Sequence, residues 1–548
     1  MLDLDPTTIT DLDGAREAIR RLLNMVETLS ADLSTAQKEI QRLRDENARL
    51  KGEQGKPDIK PNKPPDPPAD HSSEQQRRVP RGRVKRRTNE SITIDREVTL
   101  EADPATLPDD AEFKGYEAVT VQDITLQTDN VRFYKAKWYS PGQRKTFLTP
   151  LPQGYHGQFG PQLRSLVWTL HFACQMSEKK IVELLHSIGI QISAGQVSNM
   201  LIHGHDALHE EKAAIVDAGL AASPWQQTDD TSTRVNGQNH HCHVLCNDLF
   251  TSYTTLPRKD RLSVLSVLLN GRALTFLVND ESLAFLEQPK LSSKILAGVR
   301  EMPRGEAVDE ATFATWLDTY VPTAGPQQQR RIREATAVAA YHAQQAVPVI
   351  EVLVCDDAPQ FKLLTAELAL CWVHDGRHYH KELQPRVRLH QQLLADFKTR
   401  YWMFYHALLA YRAAPMAEDA AALEARFDEL FSTVTGYDAL DARIAKTRAK
   451  KASLLLVLTY PELPLHNNAA ELACRARVRK RDVSFGPRTE AGAKMWDTGM
   501  TLVETAKKVG VSIYHYMHDR LSGALTMPSL ASEVARLAAD LRQCAAPG

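Results

Sequence analysis

Residues 12 to 50 carry an unbroken heptad. Ile19, Leu22, Val26, Leu29, Leu33, Ala36, Ile40, Leu43, Asn47 and Leu50 fall alternately three and four apart. An apolar stripe of that period demands a long helix, and so narrow a stripe is best covered by a second helix. Ile19, Val26 and Ile40 put β-branched residues at a positions and Leu dominates d, which favours two parallel strands. Asn47 at an a position sets register at a cost in stability. A helix packed on its own chain would show the same stripe. The length of the repeat favours pairing between copies, so a homodimer or higher oligomer is expected through this segment.

The next residues cannot continue a helix. GKPDIKPNKPPDPPADHSS, 55 to 73, is Pro-rich and polar, an extended spacer. RRVPRGRVKRR follows, with Arg77, Arg78, Arg81, Arg83, Lys85, Arg86 and Arg87. A solvated tail is the bland reading and an arm for the DNA backbone the sharper one. The whole chain has a net charge of −1, so any nucleic-acid surface must be local. The seven cysteines are scattered and odd in number, which argues against a disulfide framework. The first residues lack a signal-peptide core and no run of about 18 apolar residues exists. A cytoplasmic, nucleoid-associated protein with no membrane contact is expected.

Beyond the arm the texture changes four times. Residues 90 to 150 alternate like short strands (SITIDREVTL, AVTVQDITL, VRFYKAKWY), predicting a small β-rich module. Residues 155 to 222 read as helices broken near Gly189 to Gly195, with Ser193 as an N-cap. That pattern is helix-turn-helix-like, with Gln196, Ser198 and Asn199 placed to reach DNA, although helical hairpins also occur in any core. WQQTDDTSTRVNGQNHHCHVLCNDLFTSYTTLP, 225 to 257, predicts three strands, with Asn236-Gly237 as a hairpin turn. A helix follows, and VIEVLVC, 349 to 355, predicts a buried strand ending in Asp356-Asp357.

Three acidic points therefore lie on successive elements: Asp229-Asp230 on the first strand, Asp356-Asp357 after the fourth, and Glu471 at the start of a helix. Such an order is RNase H-like, with the first and fourth strands adjacent. Phosphodiester chemistry needs an activated water or 3′-hydroxyl and relief of charge on the leaving oxygen. Two Mg²⁺ ions about 3.5–4 Å apart supply both, and hard oxygen ligands suit them. Mn²⁺ would be able to substitute. Glu471 sits in HNNAAELACRARVRKR, whose Arg475, Arg479, Lys480 and Arg481 would hold the DNA backbone. Strand alternation allows only one acid of each Asp pair to face the metals, and spacing alone does not choose between them. Each acid taken singly reads as a surface or capping group.

At these residues the chain resembles the insertion-sequence-66 family of DDE transposases. The resemblance rests on TDDTSTRVNG, VLVCDDAPQF followed by CWVHDGRH, NNAAELACR, and FGPRTEAGAKMWDTGMTLVETAKKVGVSIYHYM. It covers about residues 12 to 520. It implies Asp229, Asp356 and Glu471 as catalytic acids and metal ligands. Asp230, Asp357, His374 and Arg377 would support them, and Asn467, Asn468 and Arg475 would orient Glu471 or touch phosphate. It implies a transposase that binds double-stranded DNA at its element ends, cuts 3′ ends and joins them to target DNA, with accessory proteins as further candidate partners. A silent DNA-binding derivative and a nuclease without strand transfer are the alternatives. The family commonly has a cysteine-based zinc ribbon after the coiled coil, and residues 90 to 150 here hold no cysteine, so no metal is expected there.

The expected fold is multidomain α/β: coiled coil (12–52), Pro-rich linker and basic arm (53–89), small β-rich module (90–150), helix-turn-helix-like region (155–222), RNase H-like core (223–480) with helical insertions at about 270–345 and 385–460, and a C-terminal helical region (481–548). Cys371 and His374 have zinc-like spacing but no second pair to complete a tetrahedral site. Trp372 and Trp402 could stack a base, though large aromatics usually fill cores.

Overall fold

A computed structural model describes residues 9, 11–51, 92–103, 108, 111–155, 157–287 and 291–545. The Pro-rich spacer and the seven basic side chains of the arm, Arg77 to Arg87, lie outside them.

Helix α1 spans Leu12–Leu50, capped by the Asp11 side chain on the Gly14 amide at 2.6 Å. Its heptad residues stay open to solvent: Ile19, Leu22, Val26 and Leu29 are 46–61% exposed. The expected β-rich module is much smaller than the alternation suggests. Residues 92–103 and 111–136 form no strand, and only β1 (Lys137–Ser140) and β2 (Lys145–Leu148) pair, antiparallel. Period-two alternation gives a strand only when a neighbour supplies the ladder, and among the described residues 92–136 have none.

Three short helices follow: α2 (Pro161–Phe172), α3 (Glu178–Ser187) and α4 (Ala194–Ile202). Val167, Ile181, Leu185, Val197 and Leu201 join them in one core. The Ser193 hydroxyl caps α4 by accepting from the Gln196 amide at 3.2 Å. Helix α5 (Asp206–Ala222) leads into the sheet.

The sheet is mixed, in the order β5-β4-β3-β6-β7. Strands β3 (Trp225–Val235), β4 (Gln238–Cys246) and β5 (Thr251–Leu256) form an antiparallel meander. Asn236 and Gly237 turn β3 into β4 with φ of 49° and 76°, the left-handed pair a two-residue hairpin needs. Between β5 and β6 lie α6 (Arg261–Leu268), α7 (Asp280–Glu287), α8 (Ser293–Arg300), α9 (Glu310–Tyr320) and α10 (Pro326–Ala343). Strand β6 (Val352–Cys355) then runs parallel to β3, as the order of acids predicts, and β7 (Glu367–Leu370) parallel to β6.

A helical block follows: α11 (Trp372–Lys381), α12 (Arg388–Ala413), α13 (Ala417–Leu430), α14 (Asp438–Arg448) and the single turn α15 (Lys451–Leu454). Its core is aromatic, with Trp372, Tyr379, Phe397, Tyr401, Phe404 and Phe427. Trp372 is fully buried and donates its indole N–H to the Leu454 carbonyl at 2.8 Å; Trp402 is 8% exposed. Packing holds both rings, so neither is presented for base stacking. The chain closes with α16 (Asn468–Ser484), α17 (Glu490–Val509), α18 (Ile513–Ser522) and α19 (Leu530–Ala545). Among the described residues no helix is long and apolar enough to cross a membrane.

Helix α1 is bolted to the helical block by its back. Glu27 accepts from the Arg386 and Val387 amides at 2.7 and 2.9 Å and meets the His390 ring at 3.1 Å. Asn24 donates to the Gly436 carbonyl and accepts from the Asp438 amide. Both residues lie opposite the heptad stripe, so docking leaves the stripe free.

Candidate catalytic site

The register of two parallel strands places the first two acids. Gln227 on β3 stands opposite Val354 on β6. Asp229 and Asp356 are each two residues further along, on the same face as that pair, in neighbouring strands that lie about 4.8 Å apart. The face is the one α16 covers. Cys242, Val244 and Cys246 of β4 pack there against Ala470, Ala473 and Cys474 of α16, and Asp229 is the cross-strand partner of Val244.

Three hydrogen bonds fix the start of α16 over these strands. The Asn467 amide group donates to the Thr228 carbonyl at 2.7 Å, the Ala469 N–H to Gln227 Oε1 at 3.2 Å, and the Asn467 N–H to Cys371 Sγ at 3.3 Å. Glu471 follows in the first helical turn, where the helix dipole favours an anion. Arg377 reaches Glu471 Oε2 at 3.3 Å, Arg475 reaches it at 3.7 Å, and His374 Nδ1 lies 3.6 Å from Oε1. Arg377 also donates to His374 Nε2 at 3.1 Å, which leaves the ring proton on Nδ1, facing the carboxylate. Burial pulls the His374 pKa down, with Arg377 adding to this and Glu471 opposing it.

The partners separate each acidic pair. Asp230 accepts from Gln360 at 3.1 Å and has Lys259 at 3.7 Å. Asp357 is held by Lys450 at 2.7 Å and Lys362 at 3.1 Å, and these cations keep its pKa low against the effect of burial. Asp229 and Asp356 have no such cation among the described residues: Asp229 takes the Asp230 amide at 2.8 Å and Asp356 the Ala358 amide at 3.1 Å. Burial pushes the Asp229 carboxyl up to about 7, and Asp356, Asp230 and Glu471 add to the rise. Asp356 and Glu471 thus lie near enough to act on Asp229, and while Glu471 holds Arg377 and Arg475, Asp229 and Asp356 have no cation of their own among the described residues. Glu471 Oε1, Asn467 Oδ1 and Asn468 Oδ1 are buried and accept no hydrogen bond among the described residues. Hard oxygens lacking donors are what a divalent cation satisfies, so the residues present fit the expected metal.

Not every predicted contact survives. Asn467 is 1% exposed and its side chain ties α16 to β3, so it is not open to a phosphate. Lys480 is fully buried: its ammonium donates to the His171 carbonyl at 2.7 Å and sits over the Phe172 and Trp496 rings. Helical periodicity turns it inward with Arg477, which pairs with Asp497 at 3.3 Å. Arg475 and Arg479 lie on the exposed side, four residues apart on the stripe that begins at Glu471, and Arg481 is partly exposed. Gln196 and Asn199 are exposed on α4, with Ser198 half-buried.

The structure also brings Cys371, His374 and Glu471 together, with one ligand atom of each within 4.8 Å of the others. Burial pushes the Cys371 thiol up to about 11, and its sulfur accepts the Asn467 amide. The sulfur therefore serves as a hydrogen-bond acceptor that joins α11 to α16. Gln227, Gln360 and Lys450 are parts of the site that motif reading missed. Gln227 alone had a signal, its strand face shared with Asp229.

Two comparisons bear on this arrangement. The sequence model of the Transposase IS66 family matches residues 156–280 and 327–495, more than half of the chain. The uncharacterized protein y4jO of Sinorhizobium fredii (strain NBRC 101917 / NGR234) is 32% identical over 307 residues, 56% of this chain and 94% of that protein. The matched spans contain all three converging acids. The chain belongs to the Transposase IS66 family.

Proposed function

We propose that the protein is a DNA transposase with an RNase H-like catalytic core that binds the ends of its element, cleaves 3′ ends and joins them to target DNA. The observation that carries this reading is the shared register of Asp229 and Asp356 on parallel neighbours, with Glu471 on a helix pinned across them. Asp229, Asp356 and Glu471 would hold two Mg²⁺. Bound there, the cations supply activation of water or a 3′-hydroxyl and relief of charge on the leaving oxygen. His374 and Arg377 fix the Glu471 carboxylate. Asp230 and Asp357, neutralised by Lys259, Lys362 and Lys450, hold the strand ends in place. Arg475 and Arg479 would take the DNA backbone beside the reacting phosphate. The open heptad stripe of α1 would pair two copies, one for each element end.

The test is joining of DNA that carries the gene's own flanking ends, with Mg²⁺, by wild type, Asp229→Asn and Glu471→Gln. Wild type should join ends, and both variants should bind DNA yet lose at least about 100-fold in joining. Equal activity in the variants, or a wild type that binds and never cuts, sinks the assignment.

A further inference from the structure

The β1–β2 hairpin covers neither of its faces. Its register pairs Trp138 with Phe147 on one face, and Tyr139 with Thr146 on the other. Trp138 is 72% exposed, Tyr139 63% and Phe147 44%. A two-stranded ribbon is marginal in water without something packed on it, and grouped exposed rings mark an interaction surface.

Charge identifies the occupant. Between Asp129 and Glu178 the chain has no acidic side chain. At the chain-wide frequency of 68 in 548 residues, roughly six would be expected in such a stretch. The same stretch puts Arg132, Lys135, Lys137, Arg144 and Lys145 on or beside the ribbon. None of the five forms an ion pair among the described residues, whereas exposed arginines elsewhere, such as Arg42 and Arg536, lie against carboxylates. Uncompensated cations interleaved with flat rings suit a polyanion with stacked bases.

The base of the ribbon is anchored. Thr149 donates its N–H to the Ala136 carbonyl at 3.0 Å, Phe133 packs edge-on against Tyr155, and Gln153 donates to the Gly523 carbonyl at the end of α18. Gly154 lies so close to the Ser522 backbone that an added Cβ would fall 2.6 Å from its carbonyl oxygen. The ribbon therefore projects from a fixed seat.

We propose that the β1–β2 hairpin is a metal-free DNA-binding ribbon that enters a groove of duplex DNA. Trp138 and Phe147 lie against the groove, and the five cations meet the flanking phosphates. A two-stranded ribbon fits the major groove, about 12 Å wide. The choice of DNA over another polyanion rests on the transposase reading.

The experiment uses the full chain and a duplex bearing the element's terminal sequence, titrated over a salt series without divalent metal. Two variants are compared with wild type: Trp138→Ala, and the triple change Lys137→Gln, Arg144→Gln, Lys145→Gln. The triple variant should bind about tenfold or more weaker, with the slope of log K against log salt reduced by about 2.7. Trp138→Ala should weaken binding with little change in slope. Both should keep the wild-type melting temperature, since the changed side chains are exposed. Wild-type affinity and slope in both variants would overturn the ribbon and leave the transposase reading standing. Loss of self-association in the variants would overturn it too, by showing that a second copy covers the ribbon. A wild type that binds no duplex removes the transposase reading and the ribbon together.

Discussion

Asp229 is a buried carboxyl among acids, and its protonation couples to stability. Its folded pKa of about 7 lies above the ordinary value of 3.8. Between these values the folded chain holds a proton that the unfolded chain has released, so metal-free protein loses stability as pH rises from about 4 to about 7. Mg²⁺ held by the deprotonated cluster, as proposed, should raise the melting temperature most above pH 7. Thermal unfolding with and without Mg²⁺ checks this, and a Mg²⁺ response unchanged in Asp229→Asn would contradict it. Alternation leaves Asp229 or Asp230, and Asp356 or Asp357, equally eligible. The deciding partners, Lys259, Gln360 and Lys450, are distant in the chain or carry no pattern. Lys480 looked like a DNA contact within a basic run, and only the seating of α16 shows it turned inward. Lys480→Met should leave the salt slope of DNA binding at the wild-type value, while Arg479→Gln should lower it by about 0.9.

Elements were legible where one local signal decides them. The heptad gives α1, Asn236-Gly237 gives the β3–β4 turn, and Ser193 gives the start of α4. Strand β7 escaped because four residues, Glu367–Leu370, are too few to show a period. Residues 92–136 misled for the opposite reason, since they have the period and lack the partner strand. Helix α1 divides its two faces between two tasks. Its back is held by Glu27 and Asn24, and its stripe faces outward. Val26→Asp with Leu29→Asp should turn the proposed dimer into a monomer in sedimentation. Glu27→Ala should keep the dimer and destabilise the helical block by about 1–2 kcal/mol, because it uncaps the amides before α12. A monomeric wild type would contradict the use proposed for the stripe.

At the scale of the whole molecule, the three proposed catalytic acids come from distant parts of the chain, and the sheet order brings the strands of the first two side by side. The family match breaks at 281–326, which contains α8, α9 and nearly all of α7. The elements that carry Asp229, Asp356 and Glu471 lie outside that break. Helices α8 and α9 still belong to the main core, where Ile295, Val299, Phe313 and Leu317 join Leu353 and Cys355 of β6. These three carboxylates are the proposed holders of the metal. The most direct measurement is anomalous diffraction from crystals grown with Mn²⁺ and end DNA. Two Mn²⁺ peaks among Asp229, Asp356 and Glu471, beside a DNA phosphate, are predicted. Peaks confined to Cys371 and His374, or none between Asp229 and Asp356, would contradict the account.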